Sequence, residues 1–166
     1  QASLTGHLVF STVHTNDAPS AITRLMDIGV APYLLSSTVS LVVAQRLVRR
    51  LCEACRQAYE PLSEIRKQFD ITEGLLYRAK GCEQCTNTGY KGRVGVYEVM
   101  ALDNEMLNRI AKGSSAHELR QAAIANGIDT LWKNGLTKVR TGLTSLEELE
   151  SVVLLEKFEH TGEGNG

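Results

Sequence analysis

Aromatic residues are scarce in this 166-residue sequence, and charge of neither sign is in excess. Aromatics make up 5% of the chain, and 18 Lys and Arg against 19 Asp and Glu leave a net charge of −1. A domain that binds nucleic acid usually carries a strong basic excess, and single-strand binders stack bases on aromatic rings. The composition therefore argues against nucleic acid as a partner.

The sequence also lacks a long apolar run. Its most apolar stretch, residues 33–44, is interrupted by hydroxyl side chains and is shorter than the about 20 apolar residues that span a bilayer. No initiator Met and no basic-then-apolar signal opens the chain. We expect a cytosolic protein, and because the chain begins in the middle of a pattern, we expect a piece of a longer one.

The remaining patterns alternate between strand and helix periodicities, which predicts an α/β fold. Residues 6–13 form an apolar run without helical periodicity, typical of a buried parallel strand. Asp17 is a helix N-cap, and that helix ends near Gly29. A second helix is expected over residues 32–51, with its basic end favoured by the helix dipole. Further along we expect a helix over 63–69, strands over 75–79 and 89–100, and helices over 103–111, 115–127, 130–142 and 145–158.

Two capping-box signatures mark helix starts in the last third of the chain. Ser115 is followed three residues later by Glu118, and Ser145 in the same way by Glu148. The acidic outward face that begins at Ser145 is most simply a solvated amphipathic helix. In the strand over residues 89–100, one face is expected to carry Val94, Val96, Glu98 and Met100.

All four cysteines fall in two Cys-x-x-Cys pairs, Cys52 with Cys55 and Cys82 with Cys85. Each pair is a chelating turn, and four thiolates complete a tetrahedral shell that favours zinc or an iron–sulfur cluster. Disulfides and a redox dithiol are the alternatives, although cytosolic disulfides are rare and a redox motif needs a single pair. A closed four-sulfur site has no open position for substrate, so we predict a structural Zn²⁺.

A polar cluster follows the first predicted strand. It contains Thr12, His14, Thr15 and Asn16. In open parallel sheets, ligands bind beyond the carboxyl ends of strands, so His14 is placed to sense a phosphate oxygen or to position a water. His7 begins the same strand, roughly 20 Å away at about 3.3 Å per residue. The pattern alone also fits residues that simply end a strand and cap a helix.

Residues 5–17, with the sequence TGHLVFSTVHTND, strongly resemble the histidine box of the type II secretion and type IV pilus assembly ATPases. The resemblance continues in order through residues 24–29, 44–52, the four cysteines, 89–98 and 142–148. The family consists of RecA-like P-loop ATPases that assemble as cytoplasmic hexamers at the inner membrane. Their ATP binding and hydrolysis move subunits, and this motion drives extension of a pilus or pseudopilus through a membrane platform protein.

The resemblance also implies roles for individual residues. His7 and His14 would be the catalytic histidines near the ATP γ-phosphate, with Thr12 and Asn16 beside the nucleotide. Arg24 or Arg46 would contact phosphate or a neighbouring subunit. The four cysteines would bind zinc in the family's metal-binding appendage.

The family's phosphate-binding loop is missing from this sequence. No Gly-x-x-x-x-Gly-Lys-Ser/Thr occurs in it, and the family's acidic boxes, which lie upstream of the histidine box, are missing too. The resemblance implies that ATP and Mg²⁺ are cofactors of the complete protein and that the complete protein is an ATP hydrolase. This chain alone is expected to hydrolyse ATP negligibly.

The expected organisation is the C-terminal half of a RecA-like P-loop domain with a zinc appendage and a helical end. The divisions are the ATPase core over 1–51, the four-Cys element over 52–92, a strand and helices over 93–160, and a disordered tail over 161–166. The alternative function is a non-catalytic, zinc-stabilised protein-interaction module, which differs in whether residues 12–16 meet nucleotide. The basic cluster of Arg46, Arg49, Arg50 and Arg56 is either a solvated helix end or a contact with a subunit or the platform protein.

Overall fold

The computed structural model describes residues 2–71 and 73–153. The chain forms two compact units, and each is assembled from two separate stretches. The first unit comprises Gln1–Gln45 with Tyr97–Thr130, and the second comprises Arg46–Val96 with Leu131–Gly166. The predicted division at residues 51, 92 and 160 follows chain order instead, and it stays a prediction about the domains.

Helices and strands are mixed throughout the described residues, as the α/β prediction requires. Short 3₁₀ turns cover Ala2–Thr5 and Glu83–Cys85. The helices are α1 Ala18–Asp27, α2 Pro32–Thr38, α3 Ser63–Gln68, α4 Asn104–Ala111, α5 Ala116–Ala125, α6 Leu131–Arg140 and α7 Leu146–Val153. The strands are β1 Leu41–Leu51, β2 Gln57–Tyr59, β3 Leu76–Arg78 and β4 Tyr90–Ala101.

The strands form two small sheets of two strands each. β1 pairs with β4, and β2 pairs with β3. The second pair is antiparallel, with Ala58 opposite Tyr77 in the centre of its ladder. β1 and β4 also run antiparallel, because Leu102 N donates to Ser40 O beyond one end and Cys52 N donates to Gly89 O beyond the other.

The first unit is built from α1, α2, α4 and α5 beside its part of the β1 and β4 sheet. α1 packs on α5, and α2 packs on α4. Asp17 caps α1 as predicted, and Gly29 follows the helix with φ +96°, a left-handed conformation that glycine adopts without a steric cost. Asp103 caps α4 in the same way, with its carboxylate accepting from Met106 N.

The predicted helix over residues 32–51 is wrong in its second half. α2 ends at Thr38, and the basic stretch lies in strand β1. The hydroxyls of Ser37 and Thr38 bond to the carbonyl of Leu34 at 3.0 and 2.6 Å, and side-chain bonds of this kind compete with helix propagation. The β-branched residues Val39, Val42 and Val43 follow, and they favour a strand.

The predicted strand over residues 6–13 is also wrong in this structure. The segment has no regular secondary structure after the turn at Gly6, and the side chains of Leu8 and Phe10 are 83% and 88% exposed. A buried parallel strand needs neighbours on both sides for its N–H and C=O groups. Neither sheet in the described part of the chain includes this segment, so its apolar pattern lacks the partners that would make it a strand.

The core of the second unit lies between α6, α7 and β3. α6 packs on α7 and on β3, and Gly135 lets α6 approach closely, since a Cβ there would lie 2.2 Å from Leu149 Cδ1. Phe69 packs its ring on Trp132 with centroids 5.2 Å apart. The fully buried side chains here include Leu51, Ile71, Leu76, Val139 and Leu149.

One capping box forms completely and the other forms by half. Ser115 N donates to Glu118 Oε2 at 2.7 Å, and Glu118 N donates to Ser115 Oγ at 3.3 Å. Glu148 N likewise donates to Ser145 Oγ at 3.2 Å, but the Glu148 carboxylate turns away to accept from Arg49 N and Nε, each at 2.8 Å. Glu148 is 5% exposed, so the expectation of a solvated acidic face is wrong at this residue.

The other predicted elements are confirmed to within a few residues. α3, α4, α5, α6, β3 and β4 lie where the sequence places them, and Val96, Glu98 and Met100 share the buried face of β4. Phe158 and residues 161–166, the predicted tail, lie outside the described residues.

Replacing Glu148 by Ala is expected to lower the free energy of unfolding by about 1–3 kcal/mol, because it leaves the Arg49 N–H without an acceptor and removes its ion-pair partner. The range is modest because the Arg49 side chain is 55% exposed and water can solvate it. Urea unfolding followed by fluorescence of Trp132, the single tryptophan, measures the change.

Glu147→Ala is the matched control, since Glu147 is the adjacent exposed carboxylate on the same helix. Equal losses in the two variants would contradict a structural role for the pair between Glu148 and Arg49.

Candidate metal centre and histidine segment

The two cysteine pairs occupy equivalent turns at the ends of strands. Cys52 follows β1, and Cys82 lies four residues after β3. In each turn the second cysteine N donates to the carbonyl of the first at 3.2 Å, in Cys55 to Cys52 and in Cys85 to Cys82. The sequence motif therefore folds twice into the same chelating turn, which aims two sulfur atoms in one direction.

The four sulfur atoms converge on one point. All four Sγ atoms lie within 4.8 Å of one another, and the separations from Cys52 to Cys82, Cys55 to Cys85 and Cys82 to Cys85 are 3.9, 3.8 and 3.8 Å. A tetrahedral ion bound at about 2.3 Å from each sulfur requires S···S separations of about 3.8 Å. All four thiols are free, so the donor set and its spacing fit a tetrahedral metal ion and not disulfides.

Backbone donors prepare one of the thiols for metal binding. Burial acts to raise the pKa of Cys85, but N–H groups of Cys82 and Gly89 donate to its Sγ at 3.2 and 3.1 Å and lower that pKa to about 6. Burial instead raises the pKa of the Cys55 thiol to about 11. The two pKa shifts are opposite in direction, so Cys85 releases its proton more readily than Cys55, and a nearby cation would favour the loss of both protons.

Gly89 ties the two turns together. Its carbonyl accepts from Cys52 N at 2.9 Å, and its N–H is one of the donors to Cys85 Sγ. It has φ +77°, and a Cβ at this position would lie 2.5 Å from Ala79 Cβ. Only glycine meets both requirements without a shift of the backbone.

We predict that the purified protein carries one Zn²⁺ per chain and that Cys82→Ser lowers the metal content severalfold, because three thiolates leave the tetrahedral shell incomplete. Elemental analysis after dialysis measures the content. Glu83→Gln, an exposed change in the same turn, is the control and is expected to keep the metal. Four thiols that react at once with a thiol reagent in a metal-free protein would contradict the assignment.

Gly89→Ala is expected to weaken metal retention against a competing chelator by about tenfold or more, because the added methyl forces the two turns apart. Gly92→Ala is the matched control, since Gly92 has a similar φ of +79° but a Cβ there meets nothing within 4 Å. Both variants bear the cost of a left-handed backbone, so a difference between them measures the crowding at Ala79. Equal retention by both would show that Gly89 is not needed for its close approach.

The residues predicted to face a nucleotide, other than the arginines, lie on one largely exposed stretch before α1. This stretch, residues 7–16, is called the histidine segment below. Thr12 and His14 are exposed, and Asn16 is half-buried. His7 is exposed, with its Nδ1 3.0 Å from Thr5 Oγ1, and Thr15 Oγ1 donates to Asp17 O at 3.2 Å. The structure places these residues on a single segment, and it does not fold them into a closed pocket.

At the start of α1, directly after this segment, backbone N–H groups are hydrogen-bonded to carboxylates. Asp17 Oδ1 accepts from Ser20 N at 2.8 Å, and Glu98 Oε1 accepts from Ala18 N at 2.9 Å. Asp17 also pairs with Arg120. Since its N–H groups already bond to carboxylates, this helix terminus offers little to a phosphate. A phosphate near this segment would be met by its side chains.

Sequence reasoning missed Glu98 and Arg120 as partners of α1. For Glu98 a signal was present, because a carboxylate on the apolar face of a strand needs a buried partner. For Arg120 no pattern in the sequence indicates which of the acidic residues it meets.

The predicted arginines fall into different places. Arg24 is exposed on α1 in the first unit, and Arg46 lies on β1 in the second. The other members of the basic cluster have partners within the second unit: Arg49 meets Glu148 and lies 4.2 Å over the Tyr90 ring, Arg50 meets Glu53, and Arg56 donates to Gly142 O. Hydrogen bonding to Glu148 raises the pKa of Arg49 above its ordinary value.

The structure thus defines an α/β chain with a cluster of four thiols that could hold a metal ion, together with an open histidine segment. Among the described residues, no helix is both long and apolar enough to cross a bilayer. The chain matches the family described as type II/IV secretion system protein over residues 1–151, and it belongs to that family.

Several characterised relatives are similar to nearly the whole chain. The type IV pilus assembly ATPase PilB of Thermus thermophilus is 44% identical over 154 residues, which is 90% of this chain and 17% of that protein. The type II secretion system ATPase E of Vibrio cholerae is 45% identical over 155 residues, 92% of this chain and 31% of that protein. The type IV pilus assembly ATPase PilB of Myxococcus xanthus is 40% identical over 167 residues, which is 95% of this chain and 29% of that protein. The chain therefore spans less than a third of the length of these relatives.

Proposed function

We propose that this chain is the C-terminal part of a RecA-like P-loop ATPase that acts as a hexamer and powers type II secretion or type IV pilus assembly. The observation that carries the proposal is the 44% and 45% identity, over 90% or more of the chain, to relatives named as ATPases of these two machines. Because the pilus and secretion relatives are equally similar, the proposal covers both machines.

The surface of the first unit supports the view that further chain completes it. Leu8, Val9 and Phe10 are exposed although they are apolar and consecutive. In a complete sheet such a run would be buried as a parallel strand, and its exposed backbone groups would be paired. The phosphate-binding loop and the ligands of Mg²⁺ would come from that further chain, and this chain alone would hydrolyse ATP negligibly.

The metal centre has a structural role in this proposal. A bound Zn²⁺ supplies the positive charge that four converging thiolates need, and a closed tetrahedral shell leaves no position for substrate. Cys52, Cys55, Cys82 and Cys85 would hold it. Its effect is to join the end of β1 to the turn before β4, where Gly89 already links the two cysteine pairs.

The histidine segment is the nucleotide-facing part of the chain in this proposal. His14 is exposed and lies three residues before Asp17, the N-cap of α1. In the complete protein it would act on the γ-phosphate or on its attacking water. Thr12, Asn16 and Arg24 would contact the nucleotide or a neighbouring subunit, as would Arg46, and His7 would act at the other end of the segment. The partners are further copies of the same protein and the inner-membrane platform protein, at the cytoplasmic face of the membrane.

The test is ATP turnover by the complete, zinc-loaded protein. His14→Ala is expected to lower kcat by about 10²-fold or more, because it removes a group that acts on the transferring phosphoryl or its water. His117→Ala is the control, since His117 is exposed on α5 and outside the segment. The isolated chain gives the background rate.

Equal turnover in His14→Ala and the unchanged protein would contradict a catalytic role for this histidine. If the complete protein also failed to bind or hydrolyse ATP, the non-catalytic interaction module would become the better account.

A further inference from the structure

The start of α1 is held by side chains from two other elements. Glu98, on β4 and 7% exposed, accepts from Ala18 N at 2.9 Å. Arg120, on α5, pairs with Asp17 Oδ2, while Asp17 Oδ1 accepts from Ser20 N. Both oxygens of the Asp17 carboxylate are therefore engaged, one with the helix that it caps and one with a neighbouring helix.

We infer that Arg120 and Glu98 are positioning residues that fix the carboxyl end of the histidine segment and hence the place of His14. The inference rests on the proposed function of that segment, and it adds residues that lie 84 and 106 positions further along the chain than His14. They act through Asp17 and Ala18, which begin α1.

The short distance along the chain makes this coupling direct. His14 lies three residues before Asp17, so their Cα atoms are at most about 11 Å apart even when the chain is fully extended. Thr15 Oγ1 also donates to the Asp17 carbonyl at 3.2 Å, which restrains the chain between His14 and Asp17. Asp17, engaged at both of its carboxylate oxygens, is thus a fixed point of the unit close to His14.

The first unit contains a second helix start of the same construction, which provides a matched control. Asp103 caps α4 with Oδ1 accepting from Met106 N at 2.8 Å, and its Oδ2 accepts from Asn126 Nδ2 at 2.9 Å. Asn126 is the residue that ends α5, the helix that also carries Arg120. The two caps thus share the same geometry, although Asp17 pairs with a cation and Asp103 with a neutral amide, and only Asp17 follows the histidine segment.

The alternative is that Arg120 only stabilises the packing of α1 on α5. If the role of Arg120 is purely structural, replacing Arg120 and replacing Asn126 should change exchange and turnover in the same way, each in proportion to the stability that the variant loses. A positioning role predicts effects in the histidine segment that appear on losing Arg120 alone.

The decisive measurement is amide hydrogen exchange of residues 11–16 in the complete, zinc-loaded protein. Arg120→Gln is expected to speed exchange there by about fivefold or more, and Arg120→Lys, which keeps a cation for Asp17, is expected to restore most of the protection. Asn126→Ala should leave this segment unchanged. Equal exchange of residues 11–16 in Arg120→Gln and the unchanged protein would overturn the inference.

Turnover gives the second readout. Arg120→Gln is expected to lower kcat for ATP by about tenfold with KM changed less than twofold, since misplacing a catalytic group costs rate more than binding. Glu98→Gln, which keeps an acceptor for Ala18 N, should lower kcat less than Glu98→Leu does. Equal kcat losses in Arg120→Gln and Asn126→Ala would count against positioning.

The two experiments separate this inference from the proposed function. Faster exchange in Arg120→Gln, with no effect of His14→Ala on turnover, would support positioning of the segment while the catalytic role of His14 failed. Loss of turnover in His14→Ala with unchanged exchange in Arg120→Gln would support the catalytic role of His14 and contradict positioning by Arg120. Arg120 would then be a structural residue only.

Discussion

The second unit depends on the convergence of four sulfur atoms on one point. The ends of β1 and of β3 and the start of β4 all meet there, because Gly89 bonds to Cys52 on one side and to Cys85 on the other. If all four thiols are deprotonated within 4.8 Å of one another, they repel strongly unless a cation lies among them, so a bound ion would stabilise this arrangement. β2, α3 and β3 lie between the two cysteine pairs along the chain.

A second constraint recurs in both units: a carboxylate from a distant part of the chain bonds to a backbone N–H at a critical place. Glu98 bonds to Ala18 N at the start of α1, and Glu148 bonds to Arg49 N within β1. Both carboxylates are buried, so a carboxylate that lost its donors there would be left without hydrogen-bond partners at a cost in stability.

Local signals in the sequence predicted the parts that depend on a few neighbouring residues. Asp17 and Asp103 mark helix starts, and the cysteine spacing predicted a cluster of four thiols that could hold a metal ion, because capping and the Cys-x-x-Cys turn are each settled within a few residues. The errors lie where the structure depends on distant partners. Residues 6–13 lack adjacent strands, residues 41–51 become a strand by pairing with β4, and Glu148 leaves its capping box for Arg49. The periodicity of the sequence does not indicate which distant residues these segments meet.

The two candidate sites differ in what they need to be complete. The four cysteines all belong to this chain and lie at the spacing that a tetrahedral ion requires, so the metal centre needs only its ion. The histidine segment is fixed at Asp17, but its apolar side chains at Leu8 and Phe10 remain exposed. Exposed histidine and threonine are stable in water, whereas consecutive exposed apolar residues indicate a missing contact. Under the proposed function, a nucleotide would bind where further chain covers those apolar side chains.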